Sequence, residues 1–369
     1  MTPPQIPPYV PHPPTQYKLD YAPLIVIDLS TFDRSHEDQV RLAQQLKDAA
    51  HNTGFWMVTG HGITDAEMNR QLSIGQAFYK EPIESKRQYP CDFSNGSYLG
   101  YREPVRFIAD TDVKENHEAL NIAKFTNEGC RFPLHDFIVP FADEIKDFQL
   151  KIWKFILKKL LILCAILLEL PEQHFVKLHD YAKKSDDYLC YKIYHPRTDE
   201  QTTCSLSTYV DTDFGSMTLV FSGTQTVSGL QIRTPTGEWK HVKSIPGGIT
   251  VNAADTLAMI TDGYFKSTVH AVHRPPPDQD KFDRLALLYF LRLADDADVV
   301  PAPSPLLERI GWKKETREAM TATNEGDAPI KGEEWMKARV RAYNHRETIE
   351  STNEPEHFTY RGLQVQVQY

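Results

Sequence analysis

The chain opens in short alternating blocks of apolar and polar residues. Residues 23–29, Pro-Leu-Ile-Val-Ile-Asp-Leu, make a β-rich run, residues 30–35 supply turn and cap chemistry, and apolar positions then recur at helical spacing to about residue 50. Gly54-Phe55-Trp56-Met57-Val58-Thr59 reads as a second strand, after which Gly60-His61-Gly62-Ile63 turns into a helix opened by Thr64 and Asp65. This is an α/β start. Residues 133–184 are predominantly helical in pattern, with Phe148, Ile152 and Phe155 at the spacing of one helix face.

From residue 188 to 293 the pattern changes to short β-branched and aromatic segments punctuated by Gly, Pro and Asn. The spacing predicts strands over 189–194, 217–222, 230–233, 250–253, 257–260, 268–272 and 285–291, as in a sandwich or barrel. Helical patterning returns after Pro301, notably over 333–344. No internal repeat or linker divides these blocks. They read as one unit: a Pro-rich tail (1–22), a helical and α+β scaffold (23–184), a β core (185–300), and C-terminal helices with a tail (301–369).

With 369 residues, 41% of them hydrophobic, the chain can bury a large core. Its 41 Lys and Arg stand against 50 Asp and Glu, a net charge of −9 without long runs. That argues against nucleic acid as the main partner, because phosphate binding needs a basic surface. The cysteines, Cys91, Cys130, Cys164, Cys190 and Cys204, are odd in number and lack metal-finger spacing, which favours a reducing compartment over a disulfide framework. The first residues lack the charge and apolar stretch of a signal peptide, and the most apolar run, 152–170, is broken by Lys154, Lys158 and Lys159. The expectation is a cytoplasmic protein with no membrane contact and no obligate protein partner.

Candidate chemistry gathers around Asp211-Thr212-Asp213-Phe214-Gly215-Ser216, placed just ahead of a strand. Two carboxylates two residues apart at a strand end leave the same face, and they must share either a cation or a proton. Read alone, Asp-Thr-Asp is a solvated turn and His270 a structural histidine. Together they change the picture: a carboxylate and a histidine brought together from separate strands are what a facial iron(II) site needs, with positions left open for a co-substrate and oxygen. His273 would face the opposite side of its strand.

The chain resembles the isopenicillin N synthase-like branch of the 2-oxoglutarate and iron(II) dependent dioxygenases, in particular its fungal members. The resemblance runs from about Leu24 to Leu293 and is carried by Ile25-Val26-Ile27-Asp28-Leu29, Thr53-Gly54-Phe55, Gly60-His61-Gly62-Ile63, Thr212-Asp213-Phe214-Gly215-Ser216, Gly229-Leu230-Gln231, Pro246-Gly247, Val251-Asn252, Asp255 and Gly263-Tyr264-Phe265-Lys266-Ser267. It implies a mainly β fold with flanking helices, a distorted double-stranded β-helix or jelly roll with the site in its mouth. It also implies iron(II) and 2-oxoglutarate as cofactors and a small-molecule substrate oxidised with O2. By the same likeness Asp213 is the carboxylate ligand, His270 the distal histidine ligand, and Arg284 the partner of the far carboxylate of 2-oxoglutarate, a task suited to its planar fork. Tyr194, in Tyr194-His195-Pro196, matches the tyrosine that reaches the same co-substrate; a strand aromatic in the core is its other reading.

The departures are as informative. Asp211 occupies the slot of the first histidine ligand, Ala286 that of the serine in an Arg-x-Ser pair, Ile193 that of an asparagine and Ala271 that of an arginine. A second carboxylate removes one unit of positive charge from a centre that must also take a dianionic co-substrate, yet oxygen donors still suit iron(II). Three functions follow. One is an oxidative enzyme of specialised metabolism, with Asp211, Asp213 and His270 on iron, that hydroxylates, desaturates or closes a ring. Another is an iron-independent descendant that uses the pocket and these same residues as acid and base for a non-oxidative cyclisation, isomerisation or elimination. The third is a ligand-binding relative without turnover. Retention of Asp213, His270 and Arg284 favours the first, and Asp211 the second. Phe214, Met217, Phe221 and Tyr264 near the motif suggest a mainly apolar substrate.

Overall fold

The computed structural model describes residues 3–104, 107–108, 112–198, 210–222, 227–312, 328–344, 348–349, 356–360 and 363–367, with the backbone alone at 108, 210–211, 343–344, 348–349, 356–359 and 363–367. Cys204 lies outside the described residues. In chain order the strands up to residue 291 are β1 Val26–Asp28, β2 Phe55–Thr59, β3 Gly100–Arg102, β4 Phe107–Ile108, β5 His117–Ala123, β6 Phe125–Thr126, β7 Gly129–Cys130, β8 Tyr188–Tyr194, β9 Val210–Asp211, β10 Met217–Val220, β11 Leu230–Arg233, β12 Trp239–His241, β13 Ile249–Ala253, β14 His270–Val272 and β15 Arg284–Leu291, twelve of which build two sheets. The larger sheet runs β1-β2-β13-β10-β15-β8-β5-β3 and the smaller β12-β11-β14-β9. All of these pairings are antiparallel except β1 with β2. The result is a mainly β protein with flanking helices and a jelly-roll core. Strands from the scaffold half, β1, β2, β3 and β5, extend the same sheet as those of the β core.

Alternation along the large sheet sorts its side chains into two sets, because successive residues of a strand leave opposite faces. On β15, Leu285, Leu287, Tyr289 and Leu291 enter the main hydrophobic core, whereas Arg284, Ala286, Leu288 and Phe290 line a cavity. On β8, Leu189, Tyr191 and Ile193 go to the core, and Tyr188, Cys190, Lys192 and Tyr194 to the cavity side. Both faces are covered, so these strands read as nearly continuous apolar runs.

Helices cover the outer face. Ser35 caps His36–Asp48 by accepting from the Asp38 N–H, and Thr64 with Glu67 forms a capping box that starts Asp65–Phe78. The second helix packs on β15 and β8. Gly75 permits that approach: a Cβ there would stand 2.9 Å from the Tyr191 ring. No helix among the described residues is long and apolar enough to cross a membrane.

Three expectations change. Residues 257–260 are not a strand but the end of the helix Asp255–Ile260. A four-residue apolar run has no periodicity of its own, and here burial on all sides conceals the helix. Phe155, counted on the apolar face of its helix, is 38% exposed. A π-helical stretch, Trp153–Leu157, inserts an extra residue into the turn and moves Phe155 out of phase with Phe148 and Ile152. The Pro-rich segment from residue 3 is extended yet fastened to the body: the Tyr9 N–H donates to Ser73 Oγ, Gln279 Nε2 donates to the Pro13 carbonyl, and His12 stacks on Phe282.

Candidate active site

Between the sheets lies a cavity of about 110 Å³, lined by both. Asp213 enters it from the turn that follows β9. Of the two aspartates only Asp211 belongs to that strand. Asp213 is fixed from two directions: its carbonyl accepts from the Asp255 N–H at 2.8 Å, and its Oδ2 accepts from the Asn252 amide at 2.9 Å. Burial alone would raise its pKa. His270, the Asn252 amide and the nearby Arg292 guanidinium outweigh that and hold the carboxyl below its ordinary range.

His270 opens β14, its ring edge-on to Phe55 with centroids 5.4 Å apart. Its Nδ1 lies 3.0 Å from the Thr268 carbonyl, an acceptor, so Nδ1 carries a proton and Nε2 is the nitrogen left to face a metal. That Nε2 stands 3.8 Å from Asp213 Oδ2. Neutral imidazole and ionised carboxylate are the donors a divalent metal takes, so this pair fits iron(II). Asp211 pairs directly across from His270 in the β9–β14 backbone register, and its side chain lies outside the described residues. Among residues whose side chains are described, no third His, Cys, Asp or Glu completes the cluster.

At the other end of the cavity, Arg284 and Tyr194 face each other across the β15–β8 register, with the guanidinium carbon 5.3 Å from the ring centroid. Arg284 is 6% exposed, and burial lowers its pKa from a value so high that it stays charged. Val272, Leu288, Ala286 and Phe55 supply apolar lining of the same cavity.

Asp255 anchors the turn that carries Asp213. It accepts from Thr212 Oγ1 (3.2 Å), Ser267 Oγ (2.6 Å) and Arg339 Nη2 (2.6 Å), so one carboxylate ties the Asp213 turn, the approach to His270 and the helix Gly332–Asn344 together. From the same helix, Trp335 donates to Thr256 Oγ1, which in turn donates to the Phe214 carbonyl.

A second cavity of about 100 Å³ adjoins the first and shares Asp213, His117, Lys192 and Phe290 with it. Phe214 lines it, but Met217, Phe221 and Tyr264 are buried in the core and touch neither cavity. They do not inform the substrate. Lys192 and Arg292 line this region and carry no motif of their own. Their signal was the two-residue period of β8 and β15, which puts Lys192 on the face of Tyr194 and Arg292 on that of Arg284.

Residues 24–135 match the family model described as non-haem dioxygenase in morphine synthesis N-terminal, and residues 186–293 match the model of the 2OG-Fe(II) oxygenase superfamily. A UPF0676 protein of Schizosaccharomyces pombe is 27% identical over 325 residues, covering 85% of this chain and 92% of its own. Homoarginine-6-hydroxylase of Oryza sativa subsp. japonica is 26% identical, over 72% of this chain and 81% of its own. In fold, the chain is similar to a 2OG-Fe(II) oxygenase family protein from Caulobacter crescentus, with a TM-score of 0.70 at 20% identity, covering 87% of this chain and 99% of that one. With both family models in the family's order and a jelly roll that brings Asp213, His270 and Arg284 to one cavity, the chain belongs to the 2-oxoglutarate and iron(II) dependent oxygenase superfamily.

Proposed function

We propose that the protein oxidises a small molecule of specialised metabolism by hydroxylation, desaturation or ring formation, at a site where Asp213 and His270 hold iron and Asp211 supplies the third protein position. One observation carries the reading. A single cavity is lined by both the Asp213–His270 pair and the Arg284–Tyr194 pair, the metal-donor and cationic groups that a co-substrate with two carboxylates needs. When bound, iron(II) with 2-oxoglutarate supplies a two-electron oxidation by O2, in which 2-oxoglutarate leaves as succinate and carbon dioxide.

The chain's own residues do the positioning. Arg284 would hold the far carboxylate from a buried position, where charge-assisted hydrogen bonds are strong. Asn252 keeps Asp213 oriented, and the Thr268 carbonyl keeps His270 in the tautomer that offers Nε2. The apolar wall of Val272, Leu288 and Phe55 keeps water from the space between them.

Anaerobic titration of metal-free protein with iron(II) and then 2-oxoglutarate tests this. The expected result is a visible metal-to-ligand charge-transfer band that requires both additions and is lost in Asp213→Ala. Absence of the band, with turnover insensitive to chelator, would sink the oxidative site and leave the non-oxidative use of the pocket.

A further inference from the structure

We propose that the second cavity is a substrate subsite for a carboxylic acid, in which Arg292, stacked on Tyr188, holds the acid group and Lys192 supplies a second positive charge. The inference deepens the proposed function and rests on it for the identity of the reacting centre.

The first support is placement. Arg284 opens β15 and Arg292 directly follows its last residue, on the same cavity-facing side, so that one stands beside each cavity. Each lies over a tyrosine of β8: Arg284 over Tyr194 at 5.3 Å, Arg292 over Tyr188 at 5.7 Å. The β8–β15 ladder thus presents the same cation-on-aromatic cradle twice, and the co-substrate needs only one.

The second support is charge. Arg292 is 3% exposed and among the described residues forms no ion pair. Its Nη2 reaches Tyr188 Oη at 3.5 Å, while Nε and Nη1 have no hydrogen-bond partner among the described residues. The acids that precede β8 are already engaged, Asp186 with Arg131 (3.0 Å) and Asp187 with Lys124 (3.3 Å). Lys192, half-buried at the junction of the two cavities, likewise has no described carboxylate within ion-pair reach. Arg102, which also lines the cavity, is by contrast matched by both oxygens of Glu115. A buried cation with unfilled donors is costly unless an anion completes it, and a planar carboxylate fits a guanidinium fork.

Room has been kept for the guanidinium. A Cβ at position 215 would stand 2.5 Å from Arg292 Nη1, so Gly215, in the Asp213 turn, is what lets the arginine lie against the metal-site loop. The walls beside it are aromatic, with Tyr188 and Phe290 stacked at 4.7 Å and Tyr98 tilted on Phe214 at 6.1 Å. The occupant is therefore a small acid with a flat or compact apolar body, and its acid end points away from Arg284.

Calorimetry on the full chain decides the matter, using phenylacetate, cinnamate and octanoate against their primary amides. Titrations are run both on metal-free protein and anaerobically with iron(II) and saturating 2-oxoglutarate. The expected result is that acids bind without erasing the charge-transfer band and amides bind at least about tenfold more weakly. Arg292→Gln should weaken the acids about tenfold or more with amide affinity within about twofold, and Arg292→Lys should recover part of the loss. Lys192→Met, which leaves Arg292 in place, should weaken the acids by a smaller factor. Equal binding of acids and amides, acid binding only by displacement of 2-oxoglutarate, unchanged acid affinity in Arg292→Gln, or no acid binding at all would each overturn the subsite. Absence of the charge-transfer band would instead fault the iron reading, and the metal-free titration still reports on Arg292.

Discussion

Asp213 stays ionised in a buried turn because its neighbours favour its charge, and the Asn252 amide among them can be removed without touching the proposed metal ligands. Asn252→Ala should lower iron(II) affinity about 10- to 100-fold, the usual cost of losing an outer-shell partner. Anaerobic iron titration measures it, and an unchanged affinity would remove Asn252 from the site. Arg284→Gln should raise the 2-oxoglutarate concentration for half-saturation about tenfold or more, as loss of a charged hydrogen-bonding pair does. Asp211→His restores imidazole opposite His270 in the β9–β14 register and should tighten iron; no gain there would count against Asp211 as a ligand. At this scale the sequence was most legible. Asp213, His270, Arg284 and Tyr194 were singled out from motif and order and line one cavity in the structure, while Lys192 and Arg292 were not singled out, because a cation on a strand reveals its neighbours only when those across the sheet are known.

At the scale of elements, Glu118 on β5 joins Lys86, Tyr101 and His195 into one hydrogen-bonded cluster at the edge of the large sheet. Burial would raise the Glu118 carboxyl, but His195, Lys86 and Tyr101 hold it at about 2, while Asp283 and Glu118 push His195 up to about 9. The signs are opposite. Glu118 contributes stability that is complete above its ordinary value of 4.5 and lost as pH falls towards about 2. His195 contributes stability that is complete below 6.5 and lost as pH rises through about 9. The Asp283 contact is more than half exposed on the acid's side and screened by water, so Glu118 carries most of what His195 adds. The melting temperature of wild type minus that of His195→Gln should therefore shrink between pH 6.5 and 9, and a difference constant with pH would refute the linkage. Elements were legible where a cap marked the start, as with Thr64 before Asp65–Phe78, or where a β-rich apolar run was bounded by polar residues, as in Arg284–Leu291. They were not at Asp255–Ile260 or at the π-helical turn of Trp153–Leu157, where burial on every side or one extra residue erases the period.

Across the whole molecule, the helix Gly332–Asn344 comes from far along the chain to brace the site. Arg339 and Asp255 form an ion pair whose side chains are 0% and 1% exposed, and Asp255 also holds Thr212 and Ser267 beside the ligand pair. Arg339→Met strands the Asp255 charge and should cost about 3–5 kcal/mol in urea unfolding. It should weaken iron binding as well, because the Asp213 turn loses its anchor. A variant that loses stability but binds iron normally would separate the brace from the site. The sequence by itself determined most of the strands, the order of the motifs and the residue types at the candidate positions, since each is read from residues a few places apart. Only the tertiary structure decided which of those residues share a cavity, that a second arginine cradle stands opposite the first, and that Asp255 rather than any acid in the cavity takes Arg339. Those outcomes depend on register and packing between segments distant in the chain, and local patterning carries no record of such distances.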